Sequence, residues 1–293
     1  MTLKELHFFY KLSENPQVTS LAKELNISQS AISLAIKSLE TSLGEKLFNR
    51  VGKKLILNEK GRFFKEKTYI HYQNLIDAKN LFLKNKLVGN LKVASSKTIS
   101  NYIMPKIYFD FLSKHNEVKL EISTLNSSKI IENILNSTLD IALIETNITN
   151  INIVKEKLCN DELIVVTSDK MCPKSIFIDS IQKKWILREA GSGTRDTFIN
   201  KIKNLTDELN VFMELNDFEE IKTIVKNSKD CITALSKVVV IKEIANGELF
   251  EVKLKNIELQ REFFLIYHKD KSKNLLFETF KEFIKNRFIS LKN

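Results

Sequence analysis

Gln29, Ser33 and Lys37 recur every fourth residue in a stretch otherwise rich in Ile and Leu. At that spacing an amide, a hydroxyl and an ammonium share one helical face, where they can hydrogen-bond to base edges or neutralise phosphate. Ser28 stands where an N-cap belongs, and Ser30 joins the exposed first turn. A second group with chemical potential is Gly191, Ser192, Gly193, Thr194 and Arg195. Two glycines let the backbone turn sharply and approach a ligand, two hydroxyls donate hydrogen bonds, and Arg195 supplies a cation. Ser96 and Thr98 repeat the hydroxyl-rich theme at another expected strand-to-helix turn, with free amides at the helix start beyond. The two turns together suit a small anion such as a carboxylate, a phosphate or a sulfur oxyanion. The plainer alternative is a capped helix start with Arg195 solvated or paired to an acid.

Apolar spacing gives the elements that must hold these groups. Leu21, Ala22 and Leu25 form one apolar stripe, and Ile32, Ile36, Leu39 and Leu43 form another at intervals of four, three and four. Two short helices with a tight turn between them match a helix-turn-helix. Arg50, Lys53 and Lys54 flank Gly52 between short apolar runs, the pattern of a β-hairpin wing whose tip faces phosphate. From Asn58 a long helix is expected, with Tyr69, Ile76 and Leu83 seven apart. That period fits a seam with a partner helix, the alternative being packing on its own domain.

Beyond Gly89 the pattern alternates. Strands are expected at 91–95, 118–123, 139–144, 163–167, 185–187, 211–215, 232–235, 238–241 and 263–268. Helices are expected near 100–114, 129–136, 195–203, 218–226 and 274–288. Such alternation predicts mainly parallel sheets with helices on their faces, as two small α/β lobes with a cleft between them. The expected division is a winged helix-turn-helix over 1–60, a linker helix suited to dimerisation over 61–88 and two α/β lobes over 89–293.

Composition narrows the function. The net charge is +10, and residues 1–90 hold 15 Lys and Arg against 8 Asp and Glu, while the remaining 203 hold 31 against 28. The excess falls on the N-terminal segment, where counterion release would drive DNA affinity. No apolar run reaches the roughly 18–20 residues of a membrane span. The start reads as an amphipathic helix and not an export signal, which disfavours a plain solute-binding protein. Cys159, Cys172 and Cys231 lack metal-ligand spacing, the four histidines are scattered, and a reducing cytoplasm fits best. The Gly191 turn lacks both the G-x-S-x-G pattern and a P-loop lysine, so no catalytic residue, cofactor or metal is expected.

The N-terminal motifs Leu21-Ala22, Ile27 to Ser33, Leu39-Glu40, Leu43-Gly44 and Leu47 to Arg50 resemble those of LysR-type transcriptional regulators in order and spacing. Ser30 departs from the family's common proline, and Leu34 and Ala35 replace residues that are often polar. Landmarks at Ala94 to Tyr102, Leu125-Asn126, Leu139 to Glu145, Asp161 to Leu163 and Arg188 to Arg195 extend the resemblance over the whole chain. It implies a winged helix-turn-helix joined to an effector domain of two α/β lobes like those of periplasmic solute-binding proteins. Ser28, Gln29, Ser30, Ser33, Lys37, Arg50, Lys53 and Lys54 are then the expected DNA contacts. The effector would meet Ser96, Thr98, Asn126, Glu145, Ser192, Thr194 and Arg195, with Glu145 binding a ligand hydroxyl or amine or pairing with Arg195. Expected partners are double-stranded operator or promoter DNA, a small-molecule effector, RNA polymerase, and further copies in a homodimer or homotetramer. No membrane partner is expected.

Overall fold

The computed structural model describes every residue except 53, 82–86, 173, 179–180, 272 and 291–293. Two compact units emerge, Met1–Asn85 with Asp270–Asn274, and Lys86–Lys269 with Leu275–Asn293.

In the first unit, α1 (Leu3–Glu14) starts at a reciprocal cap in which Thr2 and Glu5 satisfy each other's backbone amides. Helices α2 (Val18–Glu24) and α3 (Gln29–Leu43) follow, and Ser28 caps α3 by accepting from the Ala31 amide at 3.2 Å. Ile32, Ile36 and Leu39 are buried as their spacing requires, against Phe9, Leu12 and Leu21; Leu43, at the helix end, is exposed. Strands β1 (Phe48–Val51) and β2 (Lys54–Leu57) pair antiparallel across a turn where Gly52 takes φ +60°, the left-handed region glycine favours. One oxygen of Glu40 accepts from the amides of Leu47 and Phe48 at 2.7 and 3.2 Å, which fixes the hairpin to α3.

Asn58 caps α4 (Glu59–Leu81) by accepting from the Gly61 amide at 2.8 Å. Two of the three positions expected to mark a seam along this helix face the unit's own core. Tyr69 and Ile76 pack with Tyr72 and Phe64 into the unit's own apolar cluster, and Leu83 lies outside the described residues. A heptad interval marks one helical face without saying whose side chains cover it, and here α1 supplies the cover, with Tyr10 edge-on to Tyr69.

The second unit holds two lobes. In the first, β3 (Gly89–Ser95) runs parallel to β4 (Val118–Thr124) and β5 (Ile141–Ile144). Helices α5 (Lys97–Tyr102), α6 (Met104–Lys114) and α7 (Ser127–Leu135) alternate with them. A single helix was expected over 100–114, but it breaks at Ile103, just before Pro105 in the first turn of α6, where a missing amide proton is harmless. The long strand β6 (Ile153–Thr167) then leaves this lobe for the other. Its first part pairs with β12 (Gln260–His268), which returns the chain to the first lobe, and its last part pairs with β10 (Cys231–Ser236) and β11 (Phe250–Leu254).

The second lobe also contains β7 (Ser175–Ile176), β8 (Lys184–Arg188), β9 (Val211–Leu215), α8 (Gly193–Ile202), α9 (Phe218–Asn227) and α10 (Lys237–Ala245). Its parallel pairs include β8 with β9 and β8 with β10. Helix α11 (Leu275–Ser290) closes the first lobe, with Phe277, Phe280, Ile284 and Phe288 in the core. The strand expected at 238–241 is instead part of α10. Its β-branched run favours a strand locally, but Val239 and Val240 bury on one helical side and that tertiary gain prevails.

Gly61 sits where α4 passes over the hairpin, and a β-carbon there would lie 2.1 Å from the Leu47 carbonyl oxygen. Gly61→Ala is therefore expected to destabilise the full chain by about 1–3 kcal/mol through overpacking. Urea unfolding followed by circular dichroism measures it; an unchanged midpoint would show that α4 can shift at no cost.

Candidate nucleic-acid interface and polar cleft

Helix α3 presents Gln29, Ser30, Ser33 and Lys37 to solvent, with Ser28 exposed at its cap. Gln29, Ser33 and Lys37 border one concave surface with Arg50 and Lys54 of the hairpin, floored in part by Ile36 and Leu55. A polar helix face beside two cations is suited to entering a groove while gripping its phosphate walls. Lys53 lies outside the described residues. Leu34, 66 % exposed on the same helix, offers an apolar surface of the kind that meets a thymine methyl.

The other candidate residues converge between the two lobes. Ser96, Thr98, Glu145, Ser192 and Thr194 are all buried. Thr98 donates to Oε1 of Glu145 at 3.2 Å, just beyond β5. Gly193 brings the start of α8 against the first lobe: a β-carbon there would lie 2.6 Å from Cγ of Glu145, 2.7 Å from the Thr146 hydroxyl and 2.8 Å from the Ser127 hydroxyl. Gly191, at φ +78°, makes a similar approach to Ser128, whose amide donates to the Gly191 carbonyl at 3.4 Å. The lobes also meet where Lys97 donates to the Asn216 carbonyl and where the Tyr102 hydroxyl donates to Glu219 at 3.3 Å.

Two expectations change. Arg195 does not pair with Glu145; it forms an ion pair of 2.6 Å with Glu214 on β9, the plainer of the two readings of that turn. Helix α5 has only six residues, so what Ser96 and Thr98 contribute is their side chains and not a helix dipole. Asn126 spends its side-chain oxygen capping α7, accepting from Lys129, while its amide group faces Gly191.

The cation beside Glu145 is Arg261, on β12. Its Nε donates to Asp161 at 2.6 Å, its Nη1 donates to the Thr194 hydroxyl at 3.1 Å, and that same nitrogen lies 3.7 Å from Oε1 of Glu145. Ser236 satisfies the other oxygen of Asp161 at 2.8 Å. Arg261 carried no motif signal, and Asp161 was marked only as a landmark beside a strand. A cation two residues into a strand resembles any surface charge until its cross-strand partner is known. The one readable hint was their position on runs bordering apolar strands.

Several buried atoms in this cluster have no hydrogen-bond partner among the described residues: the hydroxyls of Ser96, Ser127 and Thr146, Oε2 of Glu145 and Nη2 of Arg261. Leaving such groups unsatisfied costs about 1–3 kcal/mol each, and more for the charged ones. The first three amides of α8, from Gly193 to Arg195, likewise have no acceptor among the described residues, and Ser192 does not cap them. A cavity of about 460 Å³ reaches the cluster through Glu145, Thr146 and Arg261, with Asp196 and Asn200 on its α8 wall. Burial, together with nearby Glu145 and Glu189, raises the Asp196 carboxyl above its ordinary range, against the opposing pull of Arg195. The arrangement can bind a polar ligand through many directed donors.

All three cysteines are free thiols; Cys159 and Cys231 are buried, and burial raises the Cys172 thiol, away from thiolate reactivity. No helix among the described residues is long and apolar enough to cross a membrane.

Residues 3–62 match the model of bacterial regulatory helix-turn-helix proteins of the lysR family, and residues 84–289 match the LysR substrate binding domain. The uncharacterized HTH-type transcriptional regulator YeiE of Escherichia coli (strain K12) is 30% identical over 274 residues, covering 92% of each chain. Among solved structures, a full-length OxyR variant from Pseudomonas aeruginosa superposes with a TM-score of 0.77 at 18% identity, covering 98% of this chain and 94% of that one. Full-length CbnR, complexed with its target DNA, gives 0.60 at 16% identity, covering 98% and 100%.

Arg261→Leu leaves two carboxylates buried without their cation and is expected to cost about 3–5 kcal/mol. Arg195→Leu, at a partly exposed pair, should cost under about 1 kcal/mol. Chemical denaturation of the two variants side by side checks the contrast; equal losses would contradict the central placement of Arg261.

Proposed function

The chain belongs to the LysR family of bacterial helix-turn-helix regulators, and from that membership we propose how its parts divide the work. It is a DNA-binding transcriptional regulator with an effector-binding domain, of a family that is not enzymatic. Residues 1–60 read DNA, 61–88 join two copies, and 89–293 bind the effector. Copies assembled as a homodimer or homotetramer set two heads on an inverted repeat, and tethering gives the second head a high effective concentration. The regulator acts in the cytoplasm, where promoter DNA and RNA polymerase are its partners.

Gln29, Ser33 and Lys37, with Ser28 and Ser30 at the first turn, approach base edges. Arg50, Lys53 and Lys54 hold phosphates. The effector carries an anionic group received between the lobes by Ser96, Thr98, Ser127, Ser192 and the free amides of α8, with Arg261 behind them. The observation that carries this reading is the set of buried, unpartnered donors converging where the two lobes touch. Buried donors of this number are satisfied by something, and an oxyanion accepts from several at once. Through its differential affinity for two lobe arrangements, the ligand alters how the heads engage DNA.

Gln29→Ala is expected to weaken operator binding by about 1–3 kcal/mol and relax specificity at one base pair. Lys54→Ala should instead weaken all sequences alike and lower the salt slope by about one unit. Fluorescence anisotropy on operator and scrambled duplexes across a salt series separates the two behaviours. Thr98→Ala should abolish the effector-dependent change in operator affinity, and a full response in that variant would remove the hydroxyl cluster from the proposed site.

A further inference from the structure

Charge within the cluster is unbalanced in a direction that an anion alone does not correct. Each oxygen of Asp161 accepts one bond, from Ser236 or from Nε of Arg261, while Nη2 of Arg261 has no partner among the described residues. Glu145 keeps one oxygen with no donor among the described residues, though the residue is only 3 % exposed. Its other oxygen has Thr98 at 3.2 Å, and Arg261 only at 3.7 Å. A second carboxylate, Asp196, shares the adjoining cavity. Of the three acids bordering this space, Glu262 is paired with Lys157, which leaves Asp196 and the buried, under-coordinated Glu145 as a receptor for a donor that carries positive charge.

The donors for an anion lie within the same short reach. The Ser127 and Thr146 hydroxyls and Cγ of Glu145 all fall within 2.8 Å of one point, the place a β-carbon on Gly193 would occupy. The start of α8, ten residues long, opens at that point with its first-turn amides free. Acceptors for an ammonium and donors for a carboxylate are thus brought to within one small molecule of each other. Exposed Lys201 and Lys203 lie farther along the cavity, beside half-buried Asp196.

We propose that the effector is a zwitterion of the amino-acid class, its ammonium held by Glu145 with Asp196 nearby, and its carboxylate held by Ser127, Thr146 and the α8 amides. This rests on the effector reading above and specifies the ligand it takes. A hydroxy acid would leave Glu145 with a weaker, neutral donor, and a simple inorganic anion would leave it facing a like charge.

The test uses the full-length protein and matched probes. Thermal shift and titration calorimetry are run with the twenty L-amino acids, with glycolate, L-lactate, glycerate and L-malate, with ethanolamine, and with sulfate. At least one amino acid is expected to bind saturably, at least roughly tenfold more tightly than its hydroxy-acid or amine counterpart. Glu145→Gln should reverse or erase that preference, and Asp196→Asn, at a more exposed position, should weaken the amino acid several-fold; the second variant decides the matter if the first fails to fold. A hydroxy acid or sulfate that binds the wild type as tightly as any amino acid overturns the zwitterion while sparing the effector reading. Binding by none of the twenty also overturns it. An amino acid that binds with this preference but leaves operator affinity unchanged supports the ligand assignment and sinks the effector role.

Discussion

The contact on which the second unit depends is the one between Arg261 and Asp161. They face each other in register on β12 and β6, the two strands that pass from one lobe to the other. Both side chains are buried, and further bonds complete the pair: Ser236 and Thr194 from the second lobe, and Glu145 from the first. An ion pair withdrawn from water gains little by itself, since desolvation offsets most of the attraction. Its consequence is geometric. The guanidinium is fixed where the lobes diverge, and groups from both lobes are positioned around it.

That placement explains why the cleft can be both tightly packed and incompletely satisfied. Gly193 lets α8 approach Glu145 closely enough to bury it, which removes the water that would otherwise hydrate its carboxylate. Thr98 and Arg261 compensate one oxygen and leave the other. A ligand that supplies the missing donor gains its affinity from a cost already present in the folded chain. Because that cost depends on how closely the lobes meet, the proposed ligand contact would also discriminate between lobe arrangements.

Much of this was legible in the residues. The four-three-four spacing of Ile32, Ile36, Leu39 and Leu43, the cap at Ser28 and the glycine at 52 located the reading head, because each is a local signal with a local cause. The hydroxyls at Ser96, Thr98, Ser192 and Thr194 were placed in one cleft for the same reason: all sit at strand-to-helix turns. What was illegible depends on contacts between distant segments. Arg261 meets Asp161 across 100 residues, so nothing near either one announces the pair. Tyr69 and Ile76 share a helical face whose covering, by α1 or by a partner, the spacing alone leaves open. Residues 238–241 favoured a strand by type and became helix by burial.

Base readout and ligand coupling are typically of comparable energy, which bears on the proposed mode of regulation. Residues 1–90 carry +7 of the chain's net charge of +10, and contacts between such charge and phosphate are indifferent to sequence. Discrimination rests on a few base contacts worth about 1–3 kcal/mol each. Coupling between a bound ligand and a distant site is typically also about 1–3 kcal/mol. A ligand therefore need not release the protein from DNA to change transcription. On the proposed reading, misaligning one base contact is enough to re-rank a promoter against its competitors while phosphate contacts keep the protein bound.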